Sequence, residues 1–340
     1  MDQVVEDKPA LFRQILQHLD QVKQAPSTRL DEELLRRGSR NADIHTPQDT
    51  LWTVLSSGEQ TLQLLEQDPR PLTKLLEHVV LSLPFDELKT TISAEKLEEG
   101  LKSPSAPVQL LILAYLQKAA DTPSGAGFVA VSPSLSKVLV ETWLATDSTE
   151  VSDKTLDTIV ALLAVDSPSM STFVVRPSGS GEATGQGLLW RRIFTDVEVY
   201  SLLFEWTTLT TKSRHRVSTK KGLHQATISQ GRLLDFISRL SEIDWTQIST
   251  STLPEVEKIY IKGNSQNQPY GGILRYAVSD MIDPGDYLMQ VLRHDFFLKL
   301  LNVAEETNRR NVTPRLLDAL QASTGANTSR MTNGAEGLHL

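Results

Sequence analysis

The stretch QGLLWRRIFTDVEVYSLLFEWT, residues 186–207, reads as two amphipathic helices that meet at a well-specified turn. Thr195 and Glu198 have the T-x-x-E spacing of a capping box, in which each side chain satisfies a backbone donor that the first helical turn leaves open. Phe194 and Val199 then fall at the two positions of a hydrophobic staple, which fixes the angle at which the chain enters the second helix. Leu188, Leu189, Ile193 and Phe194 before the turn, and Val199, Leu202, Leu203 and Trp206 after it, give each helix an apolar stripe. Neither helix can bury its stripe alone, and that is the building unit of a helical repeat.

Working outward, the same grammar recurs. Thr46-Pro47 places an N-cap residue before a proline, so a helix is expected through Leu51, Trp52, Val54 and Leu55, with Ser57-Gly58 ending it and Gly38 to His45 forming a polar break before it. Leu72, Leu75, Leu76, Val79 and Val80 make a stripe up to Pro84, and Pro107 opens an almost wholly apolar helix through Leu116. Gly125 and Gly127 are expected to open a loop, and Ser132-Pro133 to start a helix through Leu135, Val138, Leu139 and Trp143. Thr149-Glu150-Val151 with Leu156 matches Thr195-Asp196-Val197 with Leu202, and Val108 opens the earlier apolar helix. The spacings of 43 and 46 residues fall in the range of roughly 40 to 47 found in HEAT and armadillo units. The expected fold is all-α, a HEAT/armadillo-like helical-repeat solenoid (α-α superhelix), with an irregular helical bundle as the alternative. Residues 1–45 form an N-terminal helical segment, 46–307 the repeats, with loops at 167–187 and 211–226, and 308–340 a polar tail expected to be disordered.

Composition narrows the chemistry. The chain of 340 residues, 39% hydrophobic and 22% charged, holds enough apolar material for an ordinary fold without metal or staples. It contains no cysteine, which removes disulfides, zinc-cysteine sites and thiol nucleophiles together. The acidic start MDQVVEDKPALFRQ is unlike a signal peptide, and no apolar run approaches the ~20 residues of a membrane span, so the expected location is cytoplasmic, nuclear or both, with no membrane partner. The sequons at Asn311 and Asn327 are read as chance matches. Residues 1–170 carry 15 Lys and Arg against 25 Asp and Glu, whereas the remainder carries 19 against 17, for a net charge of -8. That balance disfavours a dedicated nucleic-acid binder, although KSRHRVSTKK, residues 212–221, concentrates five basic side chains and His215. Its plainest reading is a solvated loop; a nuclear-import segment or a nucleic-acid patch is the sharper one.

Catalytic signatures are missing from the sequence. His18, His45, His78, His215, His224, His294 and His339 show no H-E-x-x-H spacing, and no serine sits in G-x-S-x-G. GSGEATGQG within residues 167–187 has neither G-x-G-x-x-G spacing nor a closing Gly-Lys-Ser/Thr, so it reads as a linker. The expectation is a binding scaffold, not an enzyme, with no cofactor, no metal and no small-molecule substrate.

Three segments carry a family resemblance: QGLLWRRIF-TDVEVYSLLFEW, the later SQGRLLDFISRLSEIDW, and YGGILRYAVSDMIDPGDYLMQVLRHDFFLKLL. They resemble fungal members of the proteasome non-ATPase regulatory subunit five family, over a region from about Leu51 to about Val303. The resemblance implies a HEAT/armadillo-like chaperone for assembly of the ATPase base of the proteasome regulatory particle, binding the C-terminal domain of an ATPase subunit. Because the budding-yeast member also bears an older DNA mismatch-repair label, a nucleic-acid-associated or DNA-repair scaffold is the alternative. Family members continue through further helical repeats, where this sequence turns polar after Asn308, and the basic loop at 212–221 is not a family feature. Candidate partner contacts are Arg191 and Arg192 beside Trp190, with Arg232 and Arg275 on later helices, since Arg and Trp are favoured interface anchors. The plainer alternatives are solubility for the arginines and core packing for Trp190.

Overall fold

The prolines and short polar residues that punctuate the sequence mark helix starts in the structure, a computed structural model that describes residues 7–168, 185–262 and 270–306. Seventeen α-helices and no strand occur among the described residues, so the fold class is all-α. The chain divides into two compact units, Met1–Thr142 with Asp147–Val165, and Trp143–Thr146 with Asp166–Leu340.

The first unit holds α1 (Lys8–Gln24), α2 (Glu32–Asn41), α3 (Gln48–Leu64), α4 (Arg70–Ser82), α5 (Phe85–Thr91), α6 (Ala94–Leu101), α7 (Ala106–Ala119) and α8 (Pro123–Val131), with most of α9 (Pro133–Ala145) and α10 (Thr149–Asp166). Helix α1 buries Leu11, Phe12, Ile15, Leu19 and Val22 against α2 and α3, the spacing of a single apolar face. Helix α7 is different. Every residue from Leu110 to Leu116 is buried, because α4, α5, α6 and α8 surround it, and its sequence is accordingly apolar all round. Between α8 and α9 the axis turns by 96° at Ser132, whose hydroxyl caps Leu135. No single helix among the described residues is long and apolar enough to cross a membrane.

The second unit contains α11 (Leu188–Thr195), α12 (Val197–Glu205), α13 (Lys220–Ser241), α14 (Trp245–Ser249), α15 (Pro254–Tyr260), α16 (Gly272–Ser279) and α17 (Tyr287–Glu306). Its core is a run of aromatic contacts. Trp190 stacks on Phe194 at 5.6 Å between ring centres, Phe194 stacks on Phe236 at 6.5 Å, and Phe236 meets Trp143 at 4.9 Å. A second branch leads from Phe194 through Tyr200 and Phe204 to Tyr276. Rings of this size dominate core energetics, so the branches tie α11, α12, α13 and α16 together.

Several local expectations need correcting. Thr195 is not the cap at the central corner: it is the last residue of α11, its hydroxyl donates to the Arg191 carbonyl at 2.7 Å, and Asp196 caps α12 instead. Shifting the cap by one residue moves Phe194 and Val199 out of staple register, although both are buried. It also moves the internal correspondence, because Val197 is 56% exposed, whereas Val199 takes the buried place that Val151 takes in α10. Thr46 likewise does not cap α3; it is buried and donates to the Asn41 carbonyl, and Pro47 holds the N-cap position. Gly38 and Gly58 do not stop helices. They lie inside α2 and α3, where the missing side chain lets Leu75 and Leu76 of α4 approach closely. Gly125 and Gly127 sit within α8, not in a loop. The glycine-rich residues 179–184, both sequons and the tail from residue 308 lie outside the described residues.

Candidate interaction surface

The α11–α12 corner is built from two aspartates. Asp166, at the end of α10 and almost fully buried, accepts hydrogen bonds from the amides of Leu189 at 2.7 Å and Trp190 at 3.3 Å, and so satisfies the open N-terminus of α11. Gly187 precedes that helix in the left-handed region with φ 66°, and its amide donates to the Asp166 carbonyl at 2.8 Å. At the other end Asp196 accepts from the amides of Glu198 and Val199 at 3.0 and 3.4 Å, while Arg192 donates to its second oxygen at 2.7 Å. Burial works against the charged form of Asp196. The Arg192 guanidinium and the two amides outweigh it and hold the carboxyl below its ordinary range.

A third carboxylate secures α12 from behind. Glu257 of α15, only 6% exposed, accepts from the Tyr200 hydroxyl at 3.0 Å, the Ser251 hydroxyl at 2.5 Å and the Thr252 amide at 3.1 Å. Thr252 in turn donates to the Phe194 carbonyl at 2.7 Å, so the segment before α15 is pinned to the end of α11. Burial, reinforced by the Glu257 carboxylate, pushes the Tyr200 phenol far above its usual range, so it stays protonated and donates to Glu257.

The five candidate contacts fall in different environments. Trp190 is 3% exposed and belongs to the aromatic core, so the packing alternative describes its place in this structure. Arg275 is 5% exposed and donates to the Lys262 carbonyl at 3.1 Å. Arg232 is half-buried and donates from its two terminal nitrogens to the carbonyls of Leu144 and Thr146, at 3.0 and 2.9 Å, satisfying the end of α9. Arg192 is half-buried on Asp196. Arg191 is the exposed member of the set, its guanidinium lying back towards the Gly187 carbonyl. Two of the five, Arg191 and Arg192, are thus adjacent on one short helix, and the others serve the fold.

Residues 212–219 lead into α13 and Lys220 and Lys221 open it, so the loop expected at 211–226 ends at Thr219; all five basic residues of 212–221 are exposed. Arg214 donates to Glu205 at 2.6 Å and lies 5.7 Å over the Trp206 ring, and Lys212 sits 5.8 Å from the centre of Tyr260. His215 is buried edge-on against Trp206, with Nε2 3.1 Å from the Ser229 hydroxyl. Arg216, Lys220 and Lys221 face solvent. Sequence reading gave this segment no aromatic partners because Trp206 and Tyr260 reach it from other elements. It also missed Asp166 and Glu257, isolated acids whose role depends on chain that is distant in sequence. No group of three or more His, Asp or Glu side chains that would hold a metal occurs among the described residues.

No protein-family model matches the chain, and no curated protein matches it.

Proposed function

We propose that this protein is a non-enzymatic helical-repeat scaffold that holds the C-terminal domain of a proteasomal ATPase subunit during assembly of the regulatory-particle base. The partner comes from the resemblance. The observation that carries the proposal is that the three resembling segments coincide with folded units: α11–α12, α13 up to the start of α14, and α16–α17. A HEAT/armadillo arrangement belongs to the same proposal, since stacked helix pairs present an extended surface that needs no catalytic group. Arg191, exposed on α11, is the contact we place at the partner interface, where a planar guanidinium suits a carboxylate.

The test is to purify the tagged protein from its host and identify the chains that come with it. A free ATPase-ring subunit is expected. Chromatin or repair proteins in its place would favour the nucleic-acid-associated scaffold.

A further inference from the structure

In the first unit, α2 and α4 run side by side in the same direction. Gln67, just before α4, accepts from the Leu30 amide and donates to the Thr28 carbonyl, which joins the two starts; the Ser82 hydroxyl donates to the Ala42 carbonyl, which joins the two ends. Between them lies a groove of about 660 Å³. Arg36 and Arg40 line it from α2, and Arg70, Lys74 and His78 line it from α4.

The spacing is regular. Each row repeats every four residues, and four residues of α-helix rise about 6 Å, so the groove carries two parallel rails of cationic and N–H donor groups. All five side chains belong to exposed residues, and among the described residues no hydrogen bond or ion pair engages the side chains of Arg40, Arg70 or Lys74. Arg36 is the exception, forked onto Glu33 with contacts of 2.9 and 2.6 Å. Like charges placed this close repel one another, and here they stand in the half of the chain where acids outnumber bases by 25 to 15.

We infer that the groove between α2 and α4 is a docking site for an extended acidic segment of a partner protein. In an extended chain, side chains on the same face repeat about every 6.6 to 6.8 Å, close to the pitch of the rails, so alternate carboxylates would meet successive cations. Glu32 and Glu33 close the end nearest Arg70 and exclude further negative charge there, which gives the site a direction. A single nucleic-acid strand fits less well: no Phe, Tyr or Trp lines the groove to stack successive bases, and the two glutamates would face phosphate. The inference goes beyond the chaperone proposal and does not rest on it.

The experiment uses the full chain and a fluorescein-labelled peptide of about ten residues alternating glutamate and serine, long enough to span both rails. Anisotropy should show binding that weakens as salt is raised. The double variant Arg40→Glu/Lys74→Glu should bind about tenfold more weakly or worse, through lost and reversed charge pairs. Arg40→Gln/Lys74→Gln should also weaken it, with helix content unchanged by circular dichroism. No peptide binding by the folded chain, or double variants that bind the peptide as tightly as the wild type, overturns the inference. Tighter binding of single-stranded DNA than of the peptide, lost in the same variants, overturns it in favour of a nucleic-acid site.

Discussion

Asp196 shows how a single residue decides a corner. Thr195 and Asp196 are both good cap residues, and Thr195 has the better motif, with Glu198 three positions on. Asp196 takes the position because its carboxylate accepts from two amides and from Arg192 at once. Asp196→Ala should therefore cost about 0.5–2 kcal/mol in urea unfolding, and Thr195→Ala distinctly less. Because the carboxyl is held below its ordinary range, its contribution is complete above the unfolded pKa of about 3.9 and is lost as pH falls through the lower folded value. The difference between wild type and Asp196→Ala should accordingly shrink below about pH 4. Glu77 of α4 behaves in the opposite sense. Burial raises its carboxyl, against the pull of Lys154 and Lys74, so its ionised form opposes folding above the folded pKa and costs nothing below the unfolded one. Glu77→Gln should raise the melting temperature at pH 7 and give no gain near pH 4; a lower melting temperature at pH 7 would contradict this account. Neither effect was legible in the sequence, where Glu77 is one acid among many and its burial is a property of the neighbours.

At the scale of elements, the long apolar periodicities were legible and the punctuation was less so. Helices α4, α9 and α13 follow from stripes that only a helix can gather on one side, and α7 from a long, almost wholly apolar run. Glycine was the misleading signal, because Gly38, Gly58, Gly125 and Gly127 read as breaks in the sequence and lie inside helices. Thr122 caps Gly125 and Thr219 caps Gly222 through the same side-chain bond, and in both turns the preceding chain folds back over the glycine. A Cβ at Gly125 would stand 2.1 Å from the Ala119 carbonyl oxygen, and one at Gly222 would stand 2.1 Å from that of Arg216. Backbone cannot yield as a side-chain tip can. Gly222→Ala should destabilise the protein by about 1–3 kcal/mol or more, despite alanine's better helix propensity. An unchanged urea midpoint would mean that the turn before α13 rearranges freely. The hub on Glu257 was invisible for a different reason: it joins α12, α15 and the segment between α14 and α15, which only the fold brings together. Glu257→Ala removes the acceptor of the buried Tyr200 phenol and of the half-buried Thr252 amide, at a cost of about 1–3 kcal/mol for the buried group.

For the whole molecule, the sequence disclosed the class, all-α, since the apolar stripes keep helical period. It disclosed much less about surfaces. A surface residue carries no periodic signal, which is why Trp190 and Arg275, chosen as anchors by residue type, turned out to be buried, and why the cationic rails of α2 and α4 passed unnoticed within an acidic half. The basic residues 212–221 illustrate the same limit, because Glu205, Trp206 and Tyr260 occupy two of their cations. The central claim is the hold on an ATPase subunit, and binding of isolated C-terminal domains of the proteasomal ATPases to the full chain tests it most directly. One preferred domain should bind at micromolar concentration or tighter, and Arg191→Glu should weaken that complex without altering helix content, whereas Arg192 is unsuited to the test because it also serves the Asp196 cap. If the intact, folded chain binds none of these domains at micromolar concentration, the chaperone assignment is wrong.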